Sequence, residues 1–411
     1  MKFIPVLQPT IASSLALYAS TCLNRYNKPT RCCKSFLLTA TSLFADATKQ
    51  PQQPPQSVQL SILPKSVQIH TSFRDIVDQY DAFILDQFGV LHNGVHPLDG
   101  AIELIKYMYE EKKKLIVLSN TSAPSKNALQ RLEQLGFPKK YFVDAITSGE
   151  EASRYVRMVY GTSQATGGTK QITKVIFLTW DVRIPNNPRL TALPQDFLDE
   201  CCDGSNDDDA NIQVTENIAD ADLVLLHGSE VWFRGTDVEP ISLGSFIETG
   251  NCNDVIDPLL QQFIQYNLPL ICANPDKIVV TPTNGKAYMP GKIVQRYQEL
   301  GGTNCRLFGK PNVEHFEACI RKLQSSSSGI DITKDRVAHV GDSLHHDILG
   351  ANNAGIPSIF ITSGIHASQL TDINSGLIDS ELSNDQYGKL YNLFEAEGSI
   401  YPTHVVPLFR L

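Results

Sequence analysis

From about residue 66 onward, apolar runs of strand length alternate with amphipathic stretches of helix length. The runs are AFILD (82–86), KLIVLSN (114–120), KVIFLTW (174–180), DLVLLHG (222–228), LPLICAN (268–274), RVAHVGD (336–342) and PSIFITSG (357–364). Nearly all are continuous rather than alternating. They therefore predict strands covered on both faces, as in a parallel sheet wrapped by helices. Between them, DGAIELIKYMYEEKKK (99–114) and SKNALQRLEQLG (125–136) carry helical spacing. The second is expected to open with Ser125 as N-cap and to close at Gly136. Such alternation predicts an α/β protein built from right-handed crossovers.

Polar interruptions mark the loops. GTSQATGGTK (161–170), DGSNDDDAN (203–211) and SSSSG (325–329) read as surface connections. Asp207 to Asp209 are adjacent, without the spaced pattern of a calcium loop, and read as a solvated acidic turn. Residues 1 to 45 hold no acid but carry Lys2, Arg25, Lys28, Arg31 and Lys34 among many hydroxyl residues. That composition predicts an organelle transit peptide over 1–49, addressed to mitochondrion or plastid, with a cytoplasmic location as the alternative. A proline- and glutamine-rich linker is expected at 50–65.

Composition narrows the function classes. The chain has 411 residues, enough for two domains with buried cores, and a hydrophobic content of 42% with 19% charged residues. A net charge of −9 argues against a nucleic-acid partner. No apolar run reaches the length of a membrane span. The nine cysteines form no CxxC or Cys/His pattern, so they are expected as core thiols in a reducing compartment, with no zinc site.

Ligands of open parallel sheets bind beyond the carboxyl ends of the strands. Those ends carry Asp86, Ser119–Asn120 and Gly341–Asp342, and the loop Gly309–Lys310–Pro311 precedes a helix. Together they describe a phosphoryl-transfer site. A carboxylate, Asp86, attacks phosphorus and divides one displacement into two steps. Hard oxygen ligands from Asp86 and Asp342 suit Mg2+, with Asp347 five residues on reaching the same ion through a water. Lys310 as a point charge, with the Ser119 hydroxyl and the backbone N–H groups that follow it as donors, completes the phosphate cradle.

The order and spacing of DQFGV (86–90), LSNTSAPS (118–125), FGKPN (308–312) and GDSLHHD (341–347) resemble the haloacid dehalogenase-like (HAD) hydrolase superfamily. The resemblance covers about residues 70 to 400. It implies a Rossmann-like, doubly wound parallel-sheet core at 66–148 and 303–411, interrupted by an inserted α/β cap domain at 149–302. ITSGE (146–150), ANPD (273–276) and GKIVQRYQELGG (291–302) look like the large-cap branch, subfamily IIA, of the NagD and nitrophenyl phosphatase type. GVLHNG and ITSGIH (361–366) look closest to a poorly characterised subgroup of it. By resemblance, Asp86 is the nucleophile and Ser119, Asn120 and Lys310 bind phosphate. The metal is held by Asp86, Asp342 and the backbone carbonyl of Phe88, with Asp347 behind them. The expected substrate is a small phosphorylated metabolite closed in by the cap, with Asn274 and Asp276 near the closure, and the cap also implies a homodimer contact.

One position departs from the superfamily pattern. Its first motif has a second aspartate, which passes a proton to the leaving oxygen; here that residue is Phe88. Without it, cleavage of alkyl phosphates is expected to slow by ~10²–10⁴-fold, and acyl or aryl phosphates less. His92, His96, His345 and His346 are candidate substitutes, with His92 nearest in sequence. Two alternatives stand beside the phosphatase expectation. One is a weak or inactive member that binds a phosphorylated ligand or a protein partner. The other is a metal-independent dehalogenase, disfavoured by retention of both GDSLHHD aspartates.

Overall fold

The structure, a computed structural model, describes residues 63–64, 66–161, 172–184, 192–202, 212–235, 237–281, 285–326, 332–371 and 382–411. The expected transit peptide, nearly all of the linker, the acidic loop and most of the 161–170 insert lie outside the described residues. No helix among the described residues is long and apolar enough to cross a membrane.

The strands are, in chain order, β1 (Gln68–Ile69), β2 (Ala82–Leu85), β3 (Lys114–Ser119), β4 (Asp144–Thr147), β5 (Thr173–Thr179) and β6 (Ile212–Val214). Next come β7 (Leu223–Leu226), β8 (Val231–Phe233), β9 (Ile241–Ser242), β10 (Leu270–Cys272) and β11 (Ile278–Val280). The last are β12 (Lys286–Tyr288), β13 (Cys305–Leu307), β14 (Val337–Gly341), β15 (Ser358–Ile361) and β16 (His404–Val406). They form two main sheets. The first, β1-β16-β15-β14-β2-β3-β4, is parallel throughout. In the second, β13-β10-β7-β5 is parallel, and β8 and β9 close one edge antiparallel. β11 and β12 make a separate hairpin.

The continuous apolar runs are explained by burial on both faces. In β2, Phe83 and Leu85 join one core cluster with the helix Ala101–Glu110. Ala82 and Ile84, pointing the other way, join a second cluster with the helix Val313–Ser325. A strand sandwiched between helices has no polar face, so it cannot alternate. The expected α/β class with a Rossmann-like core holds.

Three local expectations need correction. β13 pairs with β10 in the second sheet, Leu270 opposite Cys305, so that sheet, expected as the cap, runs through Leu307 and past the expected boundary at 302. The helix Ser125–Gln134 begins at Ser125, and its N-cap is Pro124. Ser125 instead gives its hydroxyl to Glu150, a carboxylate supplied by the next helix. Of the expected loop at 325–329, Ser325 closes the preceding helix, and 327–329 lie outside the described residues.

Candidate active site

The sheet order explains why residues far apart in sequence meet. β14, β2 and β3 are neighbours, and register places Val340 beside Leu85 and Leu85 beside Val117. Their carboxyl ends therefore lie about one strand spacing, ~4.8 Å, apart, and deliver Asp342, Asp86 and Ser119 to one edge. The turn after β2 has to pass close beneath Asp342. Gly89 allows this, with φ +81° and no side chain where a Cβ would overlap the Asp342 carboxylate.

Lys310 is the hub. Its Nζ lies 2.7 Å from Asp86 Oδ1 and 2.7 Å from Asp347 Oδ1, and only 2% of the residue is exposed. Asp86 Oδ1 also accepts the Gln87 N–H at 2.7 Å, and no described residue donates to Oδ2. Asp347 is fully engaged: His339 Nε2 sits 2.8 Å from Oδ1, and the Ser343 N–H donates to Oδ2 at 3.0 Å. Asp342 takes one backbone donor, the Ile365 N–H, at 2.7 Å.

Carboxylate oxygens of Asp86, Asp342 and Asp347 lie within 4.8 Å of one another, all buried. Burial and the neighbouring acids push Asp86 up to about 7 despite Lys310. Burial, then Asp86 and Asp347, push Asp342 far above the usual carboxylate range. Burial also acts against the Asp347 carboxylate, but Lys310 and His339 outweigh it and hold Asp347 below the ordinary value. Lys310 is held protonated by Asp347 and Asp86 against the opposing effect of burial. Ionised together, three buried carboxylates beside one ammonium would carry two uncompensated negative charges, a repulsion that a divalent cation would relieve. Phe88 fits the same reading, since no described residue donates a hydrogen bond to its carbonyl.

The phosphate-binding expectations divide. Ser119 is buried, and among the described residues its Oγ accepts only the Thr121 N–H, at 3.3 Å, on the wall of the cavity beside Phe88. Asn120 is committed inside the protein. Its Oδ1 accepts the Lys310 N–H at 2.7 Å and its Nδ2 donates to Asp276 Oδ1 at 2.7 Å. The Asn120 side chain thus positions the lysine loop, and the expectation of a phosphate donor here concerns its backbone N–H. Asp276, from the cap, also lies 3.1 Å from His346 Nδ1, so one carboxylate spans two core residues.

The histidine candidates separate as well. His345 is exposed and pairs with Glu397 at 2.7 Å, and His96 is exposed in its loop. His92 is buried on the cavity wall with its ring 5.9 Å from that of Phe88, nearly perpendicular. Its Nδ1 accepts the Gly94 N–H at 3.0 Å, and burial, with Arg131 nearby, lowers its pKa to about 4. A neutral imidazole with Nδ1 occupied is a hydrogen-bond donor at Nε2, which does not suit the candidate role of acid–base substitute. Sequence reasoning missed His339 and Trp180. His339 is hidden inside β14 beneath Asp347, and Trp180 Nε1 reaches across to Ser122 Oγ at 3.0 Å.

Two family models match. One, described as haloacid dehalogenase-like hydrolase, covers residues 83–176, and the other, HAD-hydrolase-like, covers 307–377. The chain belongs to the HAD-like hydrolases. Within them it lies in the NagD-like, subfamily IIA branch. It is similar to a 4-nitrophenylphosphatase of Schizosaccharomyces pombe, 22% identical over 71% of this chain and 87% of that one. It is also similar to the ribonucleotide monophosphatase NagD of Escherichia coli, 28% identical over 35% of this chain and 52% of NagD. Among solved structures, a HAD-like hydrolase from Brucella suis superposes with a TM-score of 0.54 at 22% identity. That match covers 82% of this chain and 97% of the other, and shares the fold.

Proposed function

We propose that this HAD-like hydrolase cleaves a phosphate monoester of a small metabolite, with Asp86 as nucleophile and Mg2+ as its cation. The observation that carries the reading is the charge arrangement around Asp86: one oxygen fixed by Lys310 and Gln87, the other without a protein donor, and two further buried carboxylates close by. That oxygen attacks phosphorus and forms an acyl phosphate, which water then hydrolyses. Lys310 offsets the charge of the transferred group as a fixed point charge, and Asn120 holds the lysine loop in register through its backbone N–H. Asp86, Asp342 and the Phe88 carbonyl would hold the cation, with Asp347 orienting Lys310 behind them. A bound divalent cation neutralises charge between the carboxylate and the phosphate oxygens. Phe88 gives no proton to the leaving oxygen, and His92, neutral and capped at Nδ1, does not replace it.

The test is phosphate release, with magnesium chloride, across a panel of acyl, aryl and alkyl phosphates, comparing the native chain with Asp86→Asn. Release from at least one member, lost in the variant and on chelation, is expected. No Asp86-dependent release from any member would falsify the proposal. Phe88 favours a second reading, a module that binds a phosphorylated ligand without turnover. Ligand-dependent thermal stabilisation with no phosphate released would identify it.

A further inference from the structure

Phe88 bears on both halves of the reaction. A group that gives a proton to the leaving oxygen in one step takes a proton from the attacking oxygen in the next, because the two steps at phosphorus mirror each other. Phe88 does neither. Water has to shed a proton as it bonds to phosphorus, and its pKa is about 16. The second step therefore lacks its base.

The described groups around Asp86 do not take over that duty. His92 Nδ1 accepts the Gly94 N–H at 3.0 Å, so its lone pair is occupied and Nε2 carries the proton. Asp276 shares Oδ1 between Asn120 Nδ2, at 2.7 Å, and His346 Nδ1, at 3.1 Å, and these partners make it a weaker base than an ordinary carboxylate. Asp347 is bound by Lys310, His339 and the Ser343 N–H. Asp342 is committed to the cation in the reading above.

The surroundings offer donors instead. The cavity of about 210 Å³ beside Phe88 is lined by His92, whose Nε2 has no partner among the described residues. Asn274, on the same wall, accepts the Asp276 N–H on Oδ1 at 3.1 Å, and its Nδ2 has no acceptor among the described residues. Asn93 likewise spends Oδ1 on the Val95 and His96 N–H groups, and Gln87, buried next to Asp86, adds a side-chain amide. Arg131 adds a guanidinium with no carboxylate partner among the described residues. Trp180, Val279 and Met289 make part of the wall apolar. Spare N–H groups and a cation beside an apolar stretch match a small molecule with a carboxylate head and a short hydrocarbon tail.

A carboxylate differs from water in needing no base. It already carries the electron pair that bonds to phosphorus, and as a leaving group it departs without a proton. For such partners the step at phosphorus runs in either direction, since one acyl phosphate is exchanged for another of similar energy.

We propose that this chain is also a phosphotransferase, which carries a phosphoryl group on Asp86 and passes it to small carboxylates in preference to water; the assignment rests on Asp86 as the nucleophile of the phosphatase reading. An Asp86 oxygen bonds to phosphorus as the bond from phosphorus to the donor's carboxyl oxygen breaks, and the donor leaves as a carboxylate with that electron pair. The acceptor carboxylate then bonds to phosphorus, and the electron pair of the bond to Asp86 returns to Asp86. The sum is one acyl phosphate and one carboxylate giving the other carboxylate and the other acyl phosphate, with no proton moved. Hydrolysis is the slower exit, so the phosphorylated chain accumulates when no acceptor is present.

The test gives the full chain acetyl phosphate and magnesium chloride, with propionate or, in parallel, with ethanol as acceptor. Propionyl phosphate is trapped by hydroxylamine and identified by mass spectrometry, and ethyl phosphate and inorganic phosphate are read by phosphorus NMR. Transfer to propionate is expected to exceed transfer to ethanol, at equal concentration, by ~10²-fold, the lower end of what a positioned base is worth. Without an acceptor, the acid-quenched chain should gain the mass of one phosphoryl group, located on Asp86. Asp86→Asn should lose both the mass gain and the transfer. Phe88→Asp returns a base for water, so the ratio of transfer to hydrolysis should fall by ~10²-fold. That ratio is read within one sample and does not depend on how much of the variant is folded. Inorganic phosphate as the sole product in the presence of propionate overturns the proposal, and so does equal transfer to ethanol and propionate. Acetyl phosphate left unused by a chain active on other phosphates overturns it as well. Each of these results leaves the phosphatase reading standing where hydrolysis is lost in Asp86→Asn, whereas no Asp86-dependent reaction of acetyl phosphate or of any member of the panel above removes both.

Discussion

The two sheets are built from similar buried strands yet end in different chemistry. In the core sheet, adjacent strands end in Asp86, Ser119 and Asp342, with Lys310 and Asp347 packed behind them. In the cap sheet, β5 ends in Trp180, and β10 leads into Asn274–Pro275–Asp276, whose carboxylate is spent on contacts with the core. The first edge concentrates charge, and the second turns mainly apolar side chains toward it. Under the proposed function, phosphoryl transfer needs the first edge and tolerates many versions of the second, which assigns substrate selection to the cap.

Breaking the charged edge has the largest expected effect. Asp86→Asn should lower turnover of every substrate by more than ~10⁴-fold, as removal of a nucleophile does. The same change should raise the melting temperature of the metal-free chain. The fold disfavours the Asp86 carboxylate, whose pKa sits at about 7 among other buried acids, and an amide removes that repulsion. Scanning calorimetry with and without magnesium chloride checks this. The native chain should gain more from the cation than the variant does.

Next in size is a change that sharpens the contrast between the edges. Phe88→Asp returns a proton donor to the charged edge and removes a ring from the apolar wall. The kcat/KM of alkyl phosphates such as benzyl phosphate should rise by ~10²–10⁴-fold, while phenyl phosphate gains little or loses. Steady-state kinetics on the pair decides it. An equal gain on both would mean that the proton is not what Phe88 withholds.

Acid should separate the two regions without mutation. Burial first of all holds His92, His315 and His404 at about 4 in the core, and His227 at about 3 in the cap. A histidine depressed below its unfolded value of about 6.5 binds fewer protons folded than unfolded. Its contribution is intact above pH 6.5 and is lost as pH falls toward 4, on the order of a few kcal/mol for each group. The core carries several such groups and the cap has His227, so the core should weaken more. Both tryptophans, Trp180 and Trp232, lie in the cap. Their fluorescence therefore follows the cap, while far-ultraviolet circular dichroism follows both regions. Thermal transitions by the two probes should move apart as pH drops from 7 to 4, with the fluorescence transition the later. Coincident transitions at pH 4 would mean that the two regions unfold as one.

Much of the core was legible because its strands are buried on both faces and so write continuous apolar runs ending in the reacting groups. Asp86, Ser119 and Asp342 converge for that reason. What the sequence hid depends on contacts between distant segments. Asn120 drew notice only for the backbone N–H that follows Ser119, while the partners of its side chain, Lys310 and Asp276, lie far along the chain. β13 was placed with the core because its three residues, Cys305 to Leu307, are too short and too mixed to show which sheet they join. Ser125 had the residue type of an N-cap, yet Glu150 from another helix claimed its hydroxyl. His92 had the chemistry of a shuttle, and only the burial of its ring and the Gly94 N–H on Nδ1 show that it stays neutral.

The smallest expected effect probes the seam where the regions meet. Asp276 accepts from Asn120 and pairs with His346, and burial alone would raise its pKa, but His346 and Asn120 hold it low. The carboxylate is therefore charged at neutral pH and fastens the cap to the residue that positions Lys310. Asp276→Asn keeps an oxygen for Asn120 but gives up the ion pair with His346, a charge-assisted contact typically worth ~1.5–3 kcal/mol. Much of that loss is recovered by water at the seam, so KM should rise ~3–10-fold with kcat within ~3-fold of native. Asp276→Ala also strands the Asn120 amide, and through it the Lys310 loop, so it should depress kcat as well. Comparing the two variants on one substrate distinguishes a cap fastener from a residue that acts on the lysine. If both lower kcat equally with KM unchanged, Asp276 serves the charged edge, and the boundary between chemistry and selection lies inside the cap.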